Sequence, residues 1–514
     1  MRAGRARAAL RRGACGALVA CLAAMAASAA LRAQVTRDDY AARRVALAGL
    51  LPRASAVIVL GAPEPARDYD GFSPAGDLRY FTGWDRPEGA LILVTDTTGV
   101  ATQWFFAPPR SASAEVWTGP RLTLAQVREA TGIEARDLAD VRPVVDSLLG
   151  AGRTLAVIGD FTPPQSSLGT GTTRDMALLQ EWRGKAGGDR VTNGTRYALL
   201  VRAGKRASEI AQLRRAIDLT VRAHQEVAAQ LEPGWREFEV QALVEYTFRR
   251  NGAERTGFAT IAGSGDNATT LHYNRNDRRT QPGELLVLDI GAAWNGYSAD
   301  VTRTWPVSGR FSPPQREIYQ LVRDAQRAAE SAIAVGARYR AASDSASIVL
   351  ARGLTRLGLI EAPDATYDCD ARGARRCAQL GLYYMHGLGH PIGLSVHDVD
   401  SSAVSGTWRA GSVFTLEPGV YVRRALGEAI PDTERNRALL QRIAPALATY
   451  AGTGVRIEDD YLLTERGLEW LSPAPREVDE VERALAAPRA RSPRARDAAL
   501  VERYERSLPE ATPR

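Results

Sequence analysis

The segment Leu285–Trp305, LLVLDIGAAWNGYSADVTRTW, decides the fold of this chain. Its centre is Asn295-Gly296, a pair that tolerates the positive φ angles of a type I′ turn and is the strongest short-range hairpin signal. Apolar residues precede this turn and β-branched residues follow it, which is typical of two paired strands. The segment therefore predicts a two-stranded hairpin with a two-residue loop.

The register of this hairpin decides where its two aspartates point. With a two-residue loop, Asp289 faces Thr302 and Asp300 faces Gly291. Residues two apart in a strand point to the same face, so the two carboxylates are diagonal neighbours, roughly 7 Å apart at Cβ. Gly291 is expected to leave an empty space opposite Asp300. Two carboxylates converging on a space suit a pair of metal ions about 3.5–4 Å apart; the alternative is two solvated aspartates.

The composition of the 514 residues is that of a globular protein with two or three domains. Six of the 66 basic residues lie in the first 33 residues, which contain no acid, and this accounts for most of the net charge of +7. Removing those six leaves 60 basic residues against 59 acidic ones. We therefore expect no nucleic-acid partner.

The N-terminus is typical of a secretory signal peptide. An arginine-rich stretch ending at Arg12 precedes the apolar, alanine-rich run Gly13–Leu31. Cleavage after Ala33 or near Ala29 would release an exported protein, periplasmic or extracellular, with no membrane span. The alternatives are an uncleaved anchor, for which the run is at the low end of the roughly 20 residues needed, and lipidation at Cys21.

Composition and periodicity divide the chain into four segments. The last turns to Arg, Ala, Pro and Glu and lacks the apolar periodicity that would offset ordering entropy. The predicted segments are a signal peptide at 1–33, an α/β domain at 38–195, a larger second domain at 202–475 and a disordered tail at 476–514. Within the α/β domain, the aromatic stretches Asp77–Gly83 and Ala114–Pro120 are expected to be packed.

Two cysteines, Cys369 and Cys377, remain after removal of the signal peptide. An even pair in a polar segment of an exported protein suggests a local disulfide. A metal site is the weaker interpretation, because no histidine lies among them.

Three of the five histidines, His386, His390 and His397, fall within the stretch MHGLGHPIGLSVHDV. Its glycines and proline disfavour a helix, so a loop-and-strand stretch brings the imidazoles together. Histidines placed in this way are usually ligands or acid–base groups. His224, in contrast, lies at helical spacing and is expected at the edge of a core.

Two glutamates interrupt stretches that otherwise look like apolar strands: Glu417 in VFTLEPGVYV and Glu458 in GVRIEDDYLL. Glutamate disfavours strands and is rarely buried without a partner. Arg456 could serve one of them, and a metal could serve both. Four carboxylates and one imidazole make a hard site that suits Mn²⁺, with Zn²⁺, Co²⁺ or Fe²⁺ as alternatives.

The chain also resembles the pita-bread metallopeptidases, and most closely their aminopeptidase P and prolidase branch. The resemblance lies in five ordered stretches: LDIGA, GYSADVTRTWPVSGRF, HGLGHPIGLSVHDV, LEPGVYV and GVRIEDDYLLTERG. It implies an α+β pita-bread (creatinase/aminopeptidase) catalytic domain. The stretches RRVALAGL and YFTGWDRPEGALILV imply a smaller creatinase-like α/β domain before it.

The resemblance also implies a set of site residues. Its two divalent metal ions would be held by Asp289, Asp300, His390, Glu417 and Glu458, with Asp300 and Glu458 bridging. Glu417 would be the general base for a metal-activated water, and His397 would hydrogen-bond the scissile carbonyl oxygen. His272 and His386 would line the proline side, and the substrate's amino terminus would bind near Asp289. Arg456 would orient Glu458.

The activity implied by the resemblance is hydrolysis of the N-terminal Xaa-Pro bond of peptides with proline at the second position. A homo-oligomer is implied as well. The alternatives are a prolidase acting on dipeptides, a methionine aminopeptidase, which usually lacks such an N-terminal domain, and a non-catalytic binding module. The segments Asp364–Ala378 and Arg423–Tyr450 look inserted and are expected to reshape the mouth of the cleft.

Overall fold

A computed structural model describes residues 35–67, 71–99, 101–166 and 169–486 of the chain. The predicted signal peptide at 1–33 and the part of the predicted tail beyond 486 lie outside these ranges. No helix in the described ranges has the length and apolar character needed to cross a lipid bilayer.

The first part of the chain is an α/β unit built on a six-stranded mixed sheet, in the order β4-β3-β2-β1-β5-β8. Its elements are α1 Arg37–Leu50, β1 Ser55–Leu60, α2 Gly76–Thr82, β2 Ala90–Thr95, β3 Ala101–Ala107, α3 Ala112–Thr118, α4 Leu124–Thr131, β4 Ala135–Asp137, α5 Val141–Gly150, β5 Thr154–Ile158, β6 Gln165–Ser166, β7 Gly169–Thr170, α6 Arg174–Ala186, β8 Val191–Asn193 and α7 Thr195–Arg202.

The two faces of this sheet pack against different partners because side chains alternate along each strand. In β1, Val57 and Val59 join a core with α1, α2 and the second part of the chain, whereas Ile58 and Leu60 face α5 and α6. Burial on both faces explains the continuous apolar runs of the central strands. The same alternation fixes how the unit docks against the second part.

The second part carries the hairpin described above, several short sheets and the longer helices. Its elements are α8 Ala207–Ala228, α9 Glu237–Arg250, β9 Arg255–Thr256, β10 Ile261–Ser264, β11 Leu285–Ile290, β12 Ala292–Trp294, β13 Tyr297–Ser298, β14 Val301–Pro306, α10 Pro313–Ser331, α11 Ala341–Arg356, β15 Thr366–Asp368, β16 Arg376–Ala378, α12 Ser401–Ser405, β17 Val413–Leu416, β18 Gly419–Val422, α13 Glu434–Tyr450, β19 Thr453–Arg456, β20 Asp459–Thr464, β21 Gly467–Trp470 and α14 Val478–Ala486. Short 3₁₀ helices lie at Leu138–Asp140, Gly265–Thr269, Gln379–Leu382 and Leu426–Ala429.

The hairpin has the predicted register. Asp289 pairs with Thr302 across β11 and β14, and the pairing continues to the turn. Asn295 and Gly296 have φ angles of 50° and 86°, which only residues that tolerate the left-handed region adopt readily. The predicted two-residue loop is therefore confirmed.

The predicted start of the tail at residue 476 is wrong. Residues Val478–Ala486 form helix α14, and Val478, Val481 and Leu485 are buried against the core of the second part. These three apolar residues follow a helical spacing that the highly charged composition of the segment obscures.

The two segments predicted to be inserted contact each other. The predicted disulfide between Cys369 and Cys377 is present and closes the β15–β16 hairpin. The side chain of Asn436, in α13, exchanges hydrogen bonds with the backbone of Asp368 in β15. The β15–β16 hairpin and helix α13 are therefore in contact, although they are far apart in the sequence.

Two expectations about buried side chains are wrong in detail. His224 is fully buried rather than at the edge of a core, and its Nε2 lies 3.0 Å from the carbonyl oxygen of Val301. In the stretch Ala114–Pro120, Trp117 is 75 % exposed, whereas Tyr80 and Phe81 of the other aromatic stretch are buried as expected.

Candidate active site

One cavity of about 540 Å³ gathers every residue that the sequence singles out for chemistry. It lies where the hairpin meets the histidine-rich loop and the strands that follow it. The predicted residues that line it are Asp289, Asp300, Glu417, Glu458, His272, His386, His390, His397 and Arg456. The aliphatic and aromatic side chains that line it include Phe258, Ile261, Leu271 and Val396.

Gly291 does not leave the predicted empty space opposite Asp300. A Cβ atom at Gly291 would lie 1.9 Å from the carbonyl oxygen of Ala299 and 2.8 Å from the ring of Phe258. The glycine is required because two backbone segments approach closely here. The cavity beside the two aspartates is formed instead by residues from other segments of the chain.

The two glutamates lie between strands rather than within them. Glu417 stands between β17 and β18, and Glu458 between β19 and β20. At these points the strands change partners, since β17 pairs with β20 whereas β18 pairs with β19. A break in the ladder frees both side chains to turn into the cavity, which explains why strand-averse residues occupy these positions.

Three of the predicted ligands form a compact group. Asp300, His390 and Glu458 each offer a ligand atom, and these atoms lie within 4.8 Å of one another. The Nε2 atom of His390 lies 3.4 Å from Asp300 Oδ2 and 3.6 Å from Glu417 Oε1. The side-chain oxygens and nitrogen therefore point to a common centre.

The electrostatics of this centre favour bound cations. Burial raises the pKa of Asp300 and of Glu458 well above its usual range, and the neighbouring carboxylates raise both further. Burial also raises the pKa of Glu417 to about 8. Burial and the adjacent His397 lower the pKa of His390 to about 4, so that imidazole is neutral and able to act as a ligand.

The donor set fits divalent metal ions. Among the described residues that line the cavity, Arg456 is the only arginine or lysine and must face four carboxylates. The Oδ1 atoms of Asp289 and Asp300 are buried without a hydrogen-bond partner among the described residues. Buried carboxylates are retained when they are paired or coordinate metals. The shortage of positive charge and the two unpartnered oxygens are what a metal centre would satisfy.

Arg456 contacts a different carboxylate from the one predicted. Its Nη2 lies 2.5 Å from Asp289 Oδ2, and its Nη1 donates to the hydroxyl of Tyr421 at 2.8 Å. It reaches Glu458 only through Thr302: Nε donates to Thr302 Oγ1 at 3.2 Å, and that hydroxyl donates to Glu458 Oε2 at 2.7 Å. The hairpin pattern places Thr302 opposite Asp289 but does not reveal this role.

The remaining histidines border the same cavity. The rings of His390 and His397 lie 4.0 Å apart between centroids. His386 Nδ1 lies 2.8 Å from the carbonyl oxygen of Gly387, to which it donates, so its Nε2 accepts from the hydroxyl of Tyr421 at 2.8 Å. Burial, reinforced by Arg456, lowers the pKa of His386 to about 4. Tyr421 thus links His386 to Arg456, a contact that the stretch LEPGVYV does not reveal.

Neither predicted insert lines the cavity. None of the described residues of 364–378 or 423–450 is among its lining residues. An exposed ion pair of 2.7 Å joins Arg424 to Asp266, in the 3₁₀ turn that precedes His272. The expectation that these segments reshape the cleft mouth is not supported by this arrangement.

Comparison with known proteins matches both parts of the chain. The family description "Metallopeptidase family M24" matches residues 211–465, and "Aminopeptidase P, N-terminal domain" matches residues 40–157. Xaa-Pro aminopeptidase 1 of Streptomyces coelicolor is 33 % identical over 87 % of this chain and 87 % of its own length. Xaa-Pro aminopeptidase of Escherichia coli K12 is 29 % identical over 89 % of this chain and 99 % of its own length.

A solved structure shares the fold. Zn-substituted E. coli aminopeptidase P in complex with product superposes with a TM-score of 0.72 at 29 % identity, covering 89 % of this chain and 100 % of that one. These matches confirm the predicted fold class, an α+β pita-bread catalytic domain preceded by a smaller α/β domain.

Proposed function

Because the chain belongs to metallopeptidase family M24, in its aminopeptidase P branch, we propose that it is a metal-dependent Xaa-Pro aminopeptidase. It would release the first residue of peptides that carry proline at the second position. The observation that carries this proposal is the cavity, short of positive charge, that four carboxylates and an imidazole line and in which Asp300, His390 and Glu458 converge on one centre.

Two divalent metal ions would be held by Asp289, Asp300, His390, Glu417 and Glu458. Mn²⁺ is the proposed metal because oxygen ligands predominate in this set, and Zn²⁺, Co²⁺ or Fe²⁺ are the alternatives. When bound, such ions lower the pKa of water and stabilise developing negative charge on oxygen.

Side chains of the protein would transfer the proton and orient the substrate. Glu417 would take the proton from the attacking water and pass it towards the leaving nitrogen. His397 would donate a hydrogen bond to the scissile carbonyl oxygen as it gains charge. His272 and His386 would line the proline side, and the free amino terminus would bind near Asp289.

The cavity favours an aminopeptidase over a dipeptidase. A prolidase needs a cation for the carboxylate that follows proline in a dipeptide. Arg456, the only arginine or lysine lining the cavity among the described residues, is 3 % exposed and paired with Asp289. In a longer peptide the group that follows proline is an uncharged amide, which needs no cation.

A non-catalytic binding module and a methionine aminopeptidase both fit the chain less well. A non-catalytic module of this fold would be expected to lack several ligands, but all five predicted ligands line the cavity. A methionine aminopeptidase would be expected to lack the N-terminal domain that matches residues 40–157.

We also propose that the protein is exported and forms a homo-oligomer. The disulfide between Cys369 and Cys377 suits an oxidising compartment. Val116 and Trp117, on α3, are 80 % and 75 % exposed, and we propose that they form part of the contact between subunits. A mature N-terminus after residue 33 and a multiple of the monomer mass by light scattering are the expected results; an uncleaved monomer would contradict both.

The substrate class is tested by comparing a Gly-Pro dipeptide with an Xaa-Pro-Pro tripeptide, both assayed with Mn²⁺. We expect the tripeptide to be hydrolysed after its first residue with a kcat/KM at least tenfold above that of the dipeptide. A preference for the dipeptide would indicate a prolidase, and no turnover of either would contradict the proposed activity.

A further inference from the structure

The loop between His390 and His397 is closed by its own backbone. The amide of Asp398 donates to the carbonyl oxygen of Pro391 at 2.9 Å, which brings the two ends of the loop together. Asp398 Oδ2 accepts a hydrogen bond from the amide of Leu394 at 3.2 Å. His390 and His397 are the chain neighbours of Pro391 and Asp398, so this closure lies between the two imidazoles, whose ring centroids are 4.0 Å apart.

The carboxylate of Asp398 is held by two cations: Arg202, the last residue of helix α7, and Lys205, in the linker of residues 203–206 between α7 and α8. Arg202 Nη2 lies 2.7 Å from Asp398 Oδ1, and Lys205 Nζ lies 3.3 Å from Asp398 Oδ2. The three side chains are only 7 %, 1 % and 2 % exposed, in the order Arg202, Lys205, Asp398. A Cβ atom at Gly393 would lie 1.8 Å from Asp398 Oδ2, so the close approach of this carboxylate to the loop backbone requires glycine at that position.

Backbone groups join the linker to the same loop. Lys205 Nζ donates to the carbonyl oxygens of Arg202 and Val399, at 3.0 Å and 2.8 Å. The amide of Ser401 donates to the carbonyl oxygen of Ala203 at 3.0 Å. The linker is therefore attached to the backbone that follows Asp398 as well as to the carboxylate of Asp398 itself.

Arg202 extends this attachment to the N-terminal domain. Its Nη1 lies 2.7 Å from Asp77 Oδ1, in helix α2, while its Nη2 contacts Asp398 and the hydroxyl of Ser395. A planar guanidinium can bind two carboxylates at once in a fixed geometry, which a lysine cannot. One side chain thus spans from the first domain to the residue that follows His397.

We propose that Arg202 and Lys205 act through Asp398 as positioning residues that hold His390 and His397 in place, and that Asp77 couples the docking of the N-terminal domain to this loop. None of the four contacts the substrate cavity as a lining residue. The inference rests on the proposed function, because it assigns its effect to the carbonyl-binding role of His397.

The first test is the nearly isosteric substitution Asp398→Asn, assayed on an Xaa-Pro-Pro peptide with saturating Mn²⁺. Because His397 would act mainly as charge develops in the transition state, we expect kcat to fall at least tenfold while KM changes by less than about threefold. Hydrogen exchange should accelerate in residues 391–399 and not in β17 or β20. Unchanged kcat and unchanged exchange would overturn the proposal.

A double-mutant cycle with Arg202→Met and Asp398→Asn separates action through Asp398 from general destabilisation. If Arg202 acts through Asp398, the double variant should lose no more kcat than the more damaged single variant. If the fold-loss of kcat in the double variant equals the product of the two single losses, the proposal is overturned. Arg202→Lys should recover part of the lost kcat, and Asp77→Asn should lower kcat less than Asp398→Asn does.

Arg79→Met is the matched control for domain docking. Arg79, in α2, pairs with Glu254 of the second part at 3.0 Å, and both of its terminal nitrogens donate to that carboxylate rather than to the loop of residues 390–398. Its kcat should stay within about twofold of the wild-type value. A loss equal to that of Asp77→Asn would assign the effect to docking alone and overturn the coupling.

If Asp398→Asn or Arg202→Met fails to fold, Lys205→Met and Asp77→Asn carry the same test, with exchange in residues 391–399 as the readout. Wild-type protein without metal-dependent turnover would instead contradict the proposed function. The exchange measurement would still decide whether Asp398 holds the loop.

Discussion

The guanidinium of Arg456 lies 2.5 Å from the carboxylate of Asp289, and both groups are almost fully buried. Arg456 also donates to the hydroxyls of Tyr421 and Thr302 and, at 3.5 Å, to the carbonyl oxygen of Leu271, so four partners hold this guanidinium. It therefore fixes the orientation of Asp289, the ligand that the hairpin delivers from β11. The single positive charge of Arg456 cannot balance the four carboxylates, so bound metal ions would supply the remaining positive charge.

Replacing Arg456 by methionine should lower kcat/KM about 10- to 100-fold, the usual range for a partner that orients a ligand. Arg323→Met is the matched control. Arg323 is also buried and pairs with Glu477 and Glu330, on a part of α10 that does not line the cavity. The control should lose thermal stability but keep kcat/KM within about threefold. Equal losses in the two variants would contradict a specific role of Arg456.

Thr302→Val removes the hydroxyl that joins Arg456 to Glu458 while preserving the shape of the side chain. We expect the affinity for Mn²⁺, measured by titration calorimetry, to fall about 10- to 100-fold, because Glu458 loses the hydrogen bond that orients it. The hydroxyl of Thr304, two residues along β14, contacts only backbone atoms of Arg456. Thr304→Val should keep the metal affinity within about threefold, and an equal loss there would refute the role of Thr302.

Glu417→Gln should lower kcat by about 10²- to 10⁴-fold, the contribution typical of a general base. The amide keeps an oxygen near His390, so the protein should remain folded and bind metal, as measured by circular dichroism and metal analysis. Near-normal turnover in this variant would exclude Glu417 as the base.

The substitution of both Cys369 and Cys377 by serine should destabilise the β15–β16 hairpin by about 2–3 kcal/mol, because it opens a short closed loop in the unfolded chain. Neither residue lines the cavity, so kcat/KM should stay within about twofold. Unfolding by urea and steady-state assays provide the two measurements. A large loss of activity in folded protein would show that the hairpin acts on the site. In unreduced digests of exported protein, these cysteines should appear in one cross-linked peptide.

Local chemistry is sufficient to predict the hairpin and its register. Asn295-Gly296 needs two positive φ angles, and that requirement alone places Asp289 opposite Thr302. The packing around Gly291 depends on Phe258, which comes from a separate segment of the chain, and no pattern within the hairpin reveals it. The turn sequence fixes the register of the hairpin, whereas the free space beside Gly291 depends on side chains from other parts of the folded core.

The same distinction explains the rest of the site. Residue types and order, together with the family resemblance, are enough to predict the nine titratable side chains that line the cavity, but not its apolar lining residues such as Phe258 and Leu271. The switch of strand partners at Glu417 and Glu458 is not predictable in this way, because an apolar run does not show where a ladder breaks. Whether Arg456 pairs with Asp289 or with Glu458 depends on distances between residues in three different sheets, which the sequence does not give. Helix α14 escapes prediction because three apolar residues among charged ones are a weak signal.

The central claim is that the carboxylate and imidazole cluster is a two-metal hydrolytic centre. It is tested most directly by removing metal from the full-length protein with a chelator and adding back Mn²⁺ while hydrolysis of an Xaa-Pro-Pro peptide is followed. We predict that activity is lost on chelation and returns as Mn²⁺ binds, with a stoichiometry of about two ions per chain. Full turnover by protein that metal analysis shows to be metal-free would contradict the account.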